Sequence, residues 1–302
     1  MSELALRVLF SVVAAPVALW IVLAGGAPLA ALLAIVSAIG AWEFYRIVRG
    51  AGAHPLGDVG VALAGLLPLA VYASYLGAFV VRPALLALLV LLLLGATIWL
   101  RGVGGRPIAS AATTLLGVVY TAGMLSFGYA IRYHDTVAGY DVVGARQAGI
   151  GAWTLRVPPG GVLLIFPLVV TWASDIGAYF VGRAIGGRKL IPSVSPGKTV
   201  AGAVGGLVTS MLVSWLYART VLVPVASLGF TPWGALAFGG IVSVAAQTGD
   251  LFESLIKREG GVKDSSRIIP GHGGVLDRFD SLIFVLPVAY LLLGWLPIPI
   301  LR

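Results

Sequence analysis

The sequence predicts an all-α fold: a polytopic integral membrane protein of about nine transmembrane helices with its N-terminus in the cytoplasm. Three observations predict it. Of 302 residues, 59% are hydrophobic and 11% charged, whereas soluble proteins carry about 25% charged residues. A soluble core of this size needs a charged coat that so few ionisable residues cannot supply. Apolar runs of about 20 residues, long enough to cross a bilayer, follow one another along most of the chain. The net charge of +8 is scattered between those runs, as in membrane loops and not as on a nucleic-acid surface, so no nucleic-acid partner is expected. The absence of cysteine removes disulfides, cysteine-ligated zinc, iron–sulfur clusters and thiol catalysis.

The expected spans are residues 4–24, 27–47, 60–80, 83–100, 109–131, 161–182, 201–223, 232–255 and 281–301. The first follows Arg7 and is read as a retained helix, not a signal peptide, because its apolar run is long and a second follows at once. Assigning Lys and Arg to alternate sides puts 14 on one side, with every Lys, against 6 on the other. The positive-inside rule turns the richer side to the cytoplasm. Three longer loops result: 132–160 outside, and 183–200 and 256–280 inside. With no internal repeat or soluble linker, residues 1–106 are read as a helical scaffold with possible dimer contacts, and 107–302 as the catalytic region. The 41 glycines suit close helix packing.

An ionisable group at mid-helix costs about 2.5–3.5 kcal/mol on insertion scales, so each one asks for a reason. In the eighth span Ser243, Gln247, Asp250, Glu253, Ser254 and Lys257 recur every three or four residues, a polar stripe along one helix face. Thr171, Ser174, Asp175 and Tyr179 form a similar face in the sixth, where a seam of interhelical hydrogen bonds is an equal reading. Glu43, beside Trp42 and Tyr45, is expected to pair locally with Arg46 at the interface.

Residues 250–280 hold 11 of the 32 charges. Acids (Asp250, Glu253, Glu259, Asp264, Asp277, Asp280) alternate with bases (Lys257, Arg258, Lys263, Arg267, Arg278), and Gly260, Gly261, Gly271, Gly273 and Gly274 let the backbone turn its amides towards an anion. Such a mixture suits phosphoryl chemistry with a metal: carboxylates hold a hard cation while Lys and Arg neutralise phosphate.

The run Ser254-Leu-Ile-Lys-Arg-Glu-Gly-Gly-Val-Lys-Asp-Ser-Ser-Arg-Ile-Ile-Pro-Gly-His-Gly-Gly-Val-Leu-Asp-Arg-Phe-Asp280 resembles the signature of the phosphatidate cytidylyltransferase (CDP-diacylglycerol synthase) family. Ser254, Lys257, Arg258, Lys263, Asp264, Pro270, His272, Gly273, Gly274, Asp277, Arg278 and Asp280 stand where that signature has them. Gln247-Thr-Gly-Asp-Leu-Phe-Glu253 and Ser174-Asp-Ile-Gly-Ala-Tyr179 are also similar to the family, while the first 160 residues match it in character alone. The stretch Ser193–Gly202 departs from it, with Gly197 in place of a Lys and Ala201 in place of a Glu, leaving Ser195, Lys198 and Thr199 usable for phosphate. Its Gly-Lys-Thr ending is not a nucleotide-binding P-loop, since Pro192 stands where that motif needs Gly and no strand is expected before it.

The resemblance implies transfer of the cytidylyl group of CTP to phosphatidate, giving CDP-diacylglycerol and pyrophosphate, with Mg2+ and room for a second cation. It implies Asp250 and Asp277 as cation ligands supported by Asp280; Lys257, Arg258, Lys263 and Arg278 on the triphosphate and leaving group; and His272 and Asp264 as further catalytic positions. Lys198 and Arg188 are expected on the lipid phosphate, with Ser195, Thr199, Ser254, Gly273, Gly274 and Asp175 lining the substrates. A homodimer in a bacterial inner membrane, with its site facing the cytoplasm, completes the expectation. Another lipid phosphate as acceptor stays open at this point. A secondary transporter, the rival from a different class, would show paired repeats and midplane acids; here the acids crowd one mouth.

Overall fold

The computed structural model describes residues 3–80, 83–137, 146–150, 153–269, 271 and 273–299. Its helices are α1 (Glu3–Ala24), α2 (Gly26–Gly50), α3 (Gly57–Tyr75), α4 (Pro83–Leu100), α5 (Pro107–Val118), α6 (Pro159–Ile185), α7 (Val200–Tyr217), α8 (Pro232–Glu259) and α9 (Leu276–Trp295). A π-helical turn at Val119–Gly123 carries α5 on towards Phe127–Arg132, and another at Ala218–Ala226 extends α7. Six of these helical segments are long and apolar enough to cross a membrane: α2, α3, the extended α5 and α7, α6 and α8. α1 and α4 contribute shorter apolar stretches, Val12–Ala24 and Leu86–Leu100. The architecture is that of a polytopic helical membrane protein.

Three antiparallel ribbons accompany the helices: β1 (Arg146–Ile150) with β2 (Trp153–Val157), β3 (Lys189–Ile191) with β4 (Ser195–Thr199), and β5 (Leu228–Phe230) with β6 (Pro297–Pro299). The second replaces an expected open loop. It turns at residues 192–194, where Pro192 cannot donate to a ladder, and its register pairs Lys189 with Thr199 and Ile191 with Ser195.

The chain divides into two compact units interleaved in sequence. One comprises Met1–Val13, Gly26–Tyr129 and Glu253–Phe279; the other comprises Ala14–Gly25, Ala130–Phe252 and Asp280–Arg302.

In the first unit the Tyr45 ring of α2 is buried against glycines of α3 and α5. A Cβ at Gly60 or Gly117 would collide with it. Its hydroxyl donates to the Thr114 carbonyl at 2.7 Å, and the Thr114 hydroxyl accepts the Leu56 amide at 2.8 Å, so no polar atom of this contact is left dry and unpaired. The chain leaving α8 then crosses the end of α2: a Cβ on Gly260 would stand 2.6 Å from the Ile47 carbonyl oxygen, and one on Gly50 would stand 2.6 Å from that of Gly260. Only glycines permit this approach, which brings Gly260 against the end of α2.

The second unit is built on small residues. Gly202, Gly205 and Gly206 let α7 press on α6, where a Cβ at Gly206 would come within 2.7 Å of the Ser174 carbonyl. Phe166 stacks on Phe238 at 4.2 Å and on Tyr217 at 5.1 Å, tying α6 to α8 and α7. Ser174 and Ser243 share a hydroxyl hydrogen bond of 2.8 Å, and Gln247 donates to Ser243 and to the Ala203 carbonyl at 3.0 and 3.1 Å. The polar face foreseen on the sixth span is, at Ser174, a helix–helix seam.

Candidate active site

In the first unit the charges of the signature meet around Lys257. Its ammonium lies 2.5 Å from Glu253 Oε2, one turn earlier on α8, and 2.8 Å from Asp277 Oδ1 in the first turn of α9. Asp277 gathers donors on both oxygens. Oδ2 accepts the Gly274 amide at 2.8 Å, the Ser265 amide at 3.0 Å and the Ser265 hydroxyl at 2.9 Å. Burial pushes the Asp277 carboxyl up, but hydrogen bonds with Glu253, Lys257 and the Gly274 amide outweigh it and bring it down to about 2. Asp277 lies ahead of the apolar stretch of α9 and is ionised at neutral pH. Gly273 has φ +82°, a region that favours glycine, and a Cβ there would stand 2.7 Å from Asp277 Oδ2.

A further acid of this unit, Glu43 of α2, departs from the pairing expected of it. Glu43 does not pair with Arg46, whose guanidinium lies over the Trp42 ring at 5.7 Å. It is fully buried and accepts four hydrogen bonds: from the Ser266 hydroxyl at 2.5 Å and the Val275 amide at 3.0 Å on Oε1, and from the Ser265 hydroxyl at 3.0 Å and the Leu276 amide at 2.6 Å on Oε2. The expected local ion pair fails because α2 points this acid inwards, at the segment that crosses it. A lone Glu in an apolar span does not reveal its partners; the adjacent Ser265 and Ser266, inside the signature, were the available signal.

In the second unit Lys198, in β4, sets its ammonium 2.7 Å from Asp250 Oδ2 on α8. The nitrogen is buried and, among the described residues, its contact with Asp250 is held by charge. Asp175 of α6 is within electrostatic reach of both. Thr199 caps α7, its hydroxyl oxygen accepting the Gly202 amide at 3.0 Å, and the Arg188 carbonyl accepts the Val200 amide at 2.9 Å. Asp280 Oδ1 accepts the amide of Ser281 at 2.6 Å, and its backbone carbonyl abuts Gly249.

The remaining expected positions divide by exposure. Arg258, Lys263, Asp264 and Arg278 are exposed in the first unit, and Arg188 is exposed in the second. Ser254 and Ser195 are half-buried. His272 lies outside the described residues. Among the described residues, no three His, Asp or Glu side chains converge as a metal site. Magnesium does not require one, because it is commonly bound by one or two carboxylates together with substrate phosphates. The carboxylates of Asp277 in the first unit and Asp250 in the second are oxygen donors of the kind such an ion takes.

Comparison with known proteins agrees with this chemistry. A model of the cytidylyltransferase family matches residues 5–296. A phosphatidate cytidylyltransferase of Bacillus subtilis is 31% identical over 295 residues, 97% of this chain and 99% of that protein. One from Brucella suis is 39% identical over 183 residues, covering 58% of this chain and 66% of its own, and one from Staphylococcus saprophyticus is 42% identical over 164 residues, covering 54% and 61%. The matched stretch thus spans just under two thirds of the Brucella protein, while the Bacillus match runs nearly end to end. With its family model covering almost every residue, the chain belongs to the cytidylyltransferase family.

Proposed function

We propose that this protein makes CDP-diacylglycerol from CTP and phosphatidate. The observation that carries the reading is the near end-to-end match to a phosphatidate cytidylyltransferase, in a chain where Lys257 joins Glu253 to Asp277. A phosphate monoester has its second pKa near about 6, so a phosphatidate oxygen is ionised at neutral pH and needs no general base. It attacks the α phosphorus of CTP; the new P–O bond forms as the bond to the bridging oxygen breaks, and the electron pair leaves with pyrophosphate. The barrier is repulsion between two anions.

The protein's residues lower that barrier by charge and position. Lys198, paired with Asp250, and the exposed Arg188 take the lipid phosphate. Arg258, Lys263 and Arg278, exposed beside the signature loop, take the triphosphate and the departing pyrophosphate. Lys257 is committed to Glu253 and Asp277, so its part is to hold those acids apart and neutralised. Asp277 in the first unit and Asp250, supported by Asp280, in the second would hold Mg2+, which would supply charge neutralisation on the phosphates. The basic loops orient the protein in a bacterial inner membrane with its chemistry on the cytoplasmic side, as a homodimer.

Purified protein given labelled CTP, phosphatidate and Mg2+ is expected to form an organic-soluble cytidine product and one pyrophosphate per turnover, and EDTA is expected to abolish both. Absence of that product with folded protein and Mg2+ present would overturn the reading.

A further inference from the structure

We propose that Glu43, which lies outside the signature, is a positioning residue for the transfer reaction: from α2 it holds Ser265, Ser266, Val275 and Leu276 in place and thereby sets the orientation of Asp277. This rests on the function proposed above. Each oxygen of Glu43 receives one serine hydroxyl and one backbone amide, and the two amides, of Val275 and Leu276, are the first at the start of α9. Those N–H groups have no partner within their own helix and carry the positive end of its dipole, so a carboxylate is the natural cap. Here the cap arrives from a residue 233 positions away.

The chemistry needs an acid and not its amide. Four donor groups face the carboxylate, one of them the Ser265 hydroxyl shared with Asp277, whereas a glutamine would turn an NH2 group towards two N–H or O–H donors. Gly274 leaves room for the arrangement, since a Cβ there would come within 2.5 Å of Glu43 Oε1 and would also collide with Ser265 Oγ. The path onward to Asp277 runs through Ser265, whose hydroxyl oxygen is 3.0 Å from Glu43 Oε2 and 2.9 Å from Asp277 Oδ2. One hydroxyl has one proton, so it serves one carboxylate at a time, and the place of Glu43 fixes where that hydroxyl sits between them. Fully buried, Glu43 has no route to a substrate, which makes it a residue that acts through another.

The test uses the full chain in detergent, with Glu43→Gln, Ser265→Ala and Arg46→Gln. Glu43→Gln is expected to speed hydrogen exchange at the amides of Ser265, Val275 and Leu276, and to lower kcat on the order of 10- to 100-fold, the range for groups that orient a reacting site, with KM for CTP unchanged. Ser265→Ala leaves Glu43 its other three bonds and should reproduce the kcat loss even if Glu43→Gln does not fold. Arg46→Gln should behave as wild type. The proposal is overturned if folded Glu43→Gln keeps wild-type kcat and amide protection, or if Arg46→Gln reproduces its defect. A wild-type protein that makes no cytidine lipid sinks the proposed function instead, and the exchange measurement still decides whether Glu43 holds the segment.

Discussion

Lys257 and Asp277, 20 residues apart in sequence, form an ion pair of 2.8 Å while the same ammonium lies 2.5 Å from Glu253. The three side chains are at most 13% exposed. Removing one partner of a buried pair leaves an uncompensated charge and costs about 3–5 kcal/mol. Lys257→Met is therefore expected to lower the thermal midpoint clearly and to abolish turnover. Adding Glu253→Gln removes the second buried carboxyl left without its ammonium and should recover part of the midpoint but none of the activity. An unchanged midpoint in the single variant would show that the ammonium does not stabilise the fold.

Asp277→Asn keeps the size of the side chain but discards the charge that Lys257, Ser265 and Gly274 surround. Cytidylyl transfer is expected to fall at least about 100-fold, as when a preorganised electrostatic group is lost. The protein should still elute as a single species in detergent. Wild-type Mg2+-dependent turnover in that folded variant would rule Asp277 out as a cation ligand.

Gly274→Ala puts a Cβ where Ser265 Oγ and Glu43 Oε1 already stand. Overpacking of this kind costs about 1–3 kcal/mol, and here it also pushes the amide off Asp277. Both the midpoint and turnover should fall. Gly197→Ala is the control, for nothing stands within 4 Å of its added Cβ, and its midpoint should match wild type.

Lys198→Gln removes the ammonium from Asp250 and, in the proposed function, from the lipid phosphate. KM for phosphatidate is expected to rise on the order of 10-fold, about 1.4 kcal/mol, with KM for CTP much less affected. A variant that changes both constants equally would argue against a lipid-specific role. The pair is partly exposed, so the loss should shrink as ionic strength rises.

Much of this was legible in one dimension. A chain with few charges and repeated apolar runs has to satisfy its backbone within helices, so a helical membrane architecture follows from composition alone. Gly273, Gly274 and Asp277 lie within one turn of each other, so local turn chemistry brings them together, whereas Lys257 meets Asp277 across 20 residues by packing. Glu253 belonged to the polar stripe by helical spacing, but only packing shows it sharing Lys257 with Asp277.

The sequence by itself determined the solvent, the family and the crowding of charge between residues 250 and 280. Tertiary structure alone decided that Glu43 caps α9, that Lys198 meets Asp250, and that Ser195–Thr199 forms one arm of a ribbon. The physical reason is range. Helical periodicity and turn chemistry act over a few residues, whereas a buried acid takes its donors from whichever backbone packs against it, and in this fold Gly50 and Gly260 bring that backbone within reach.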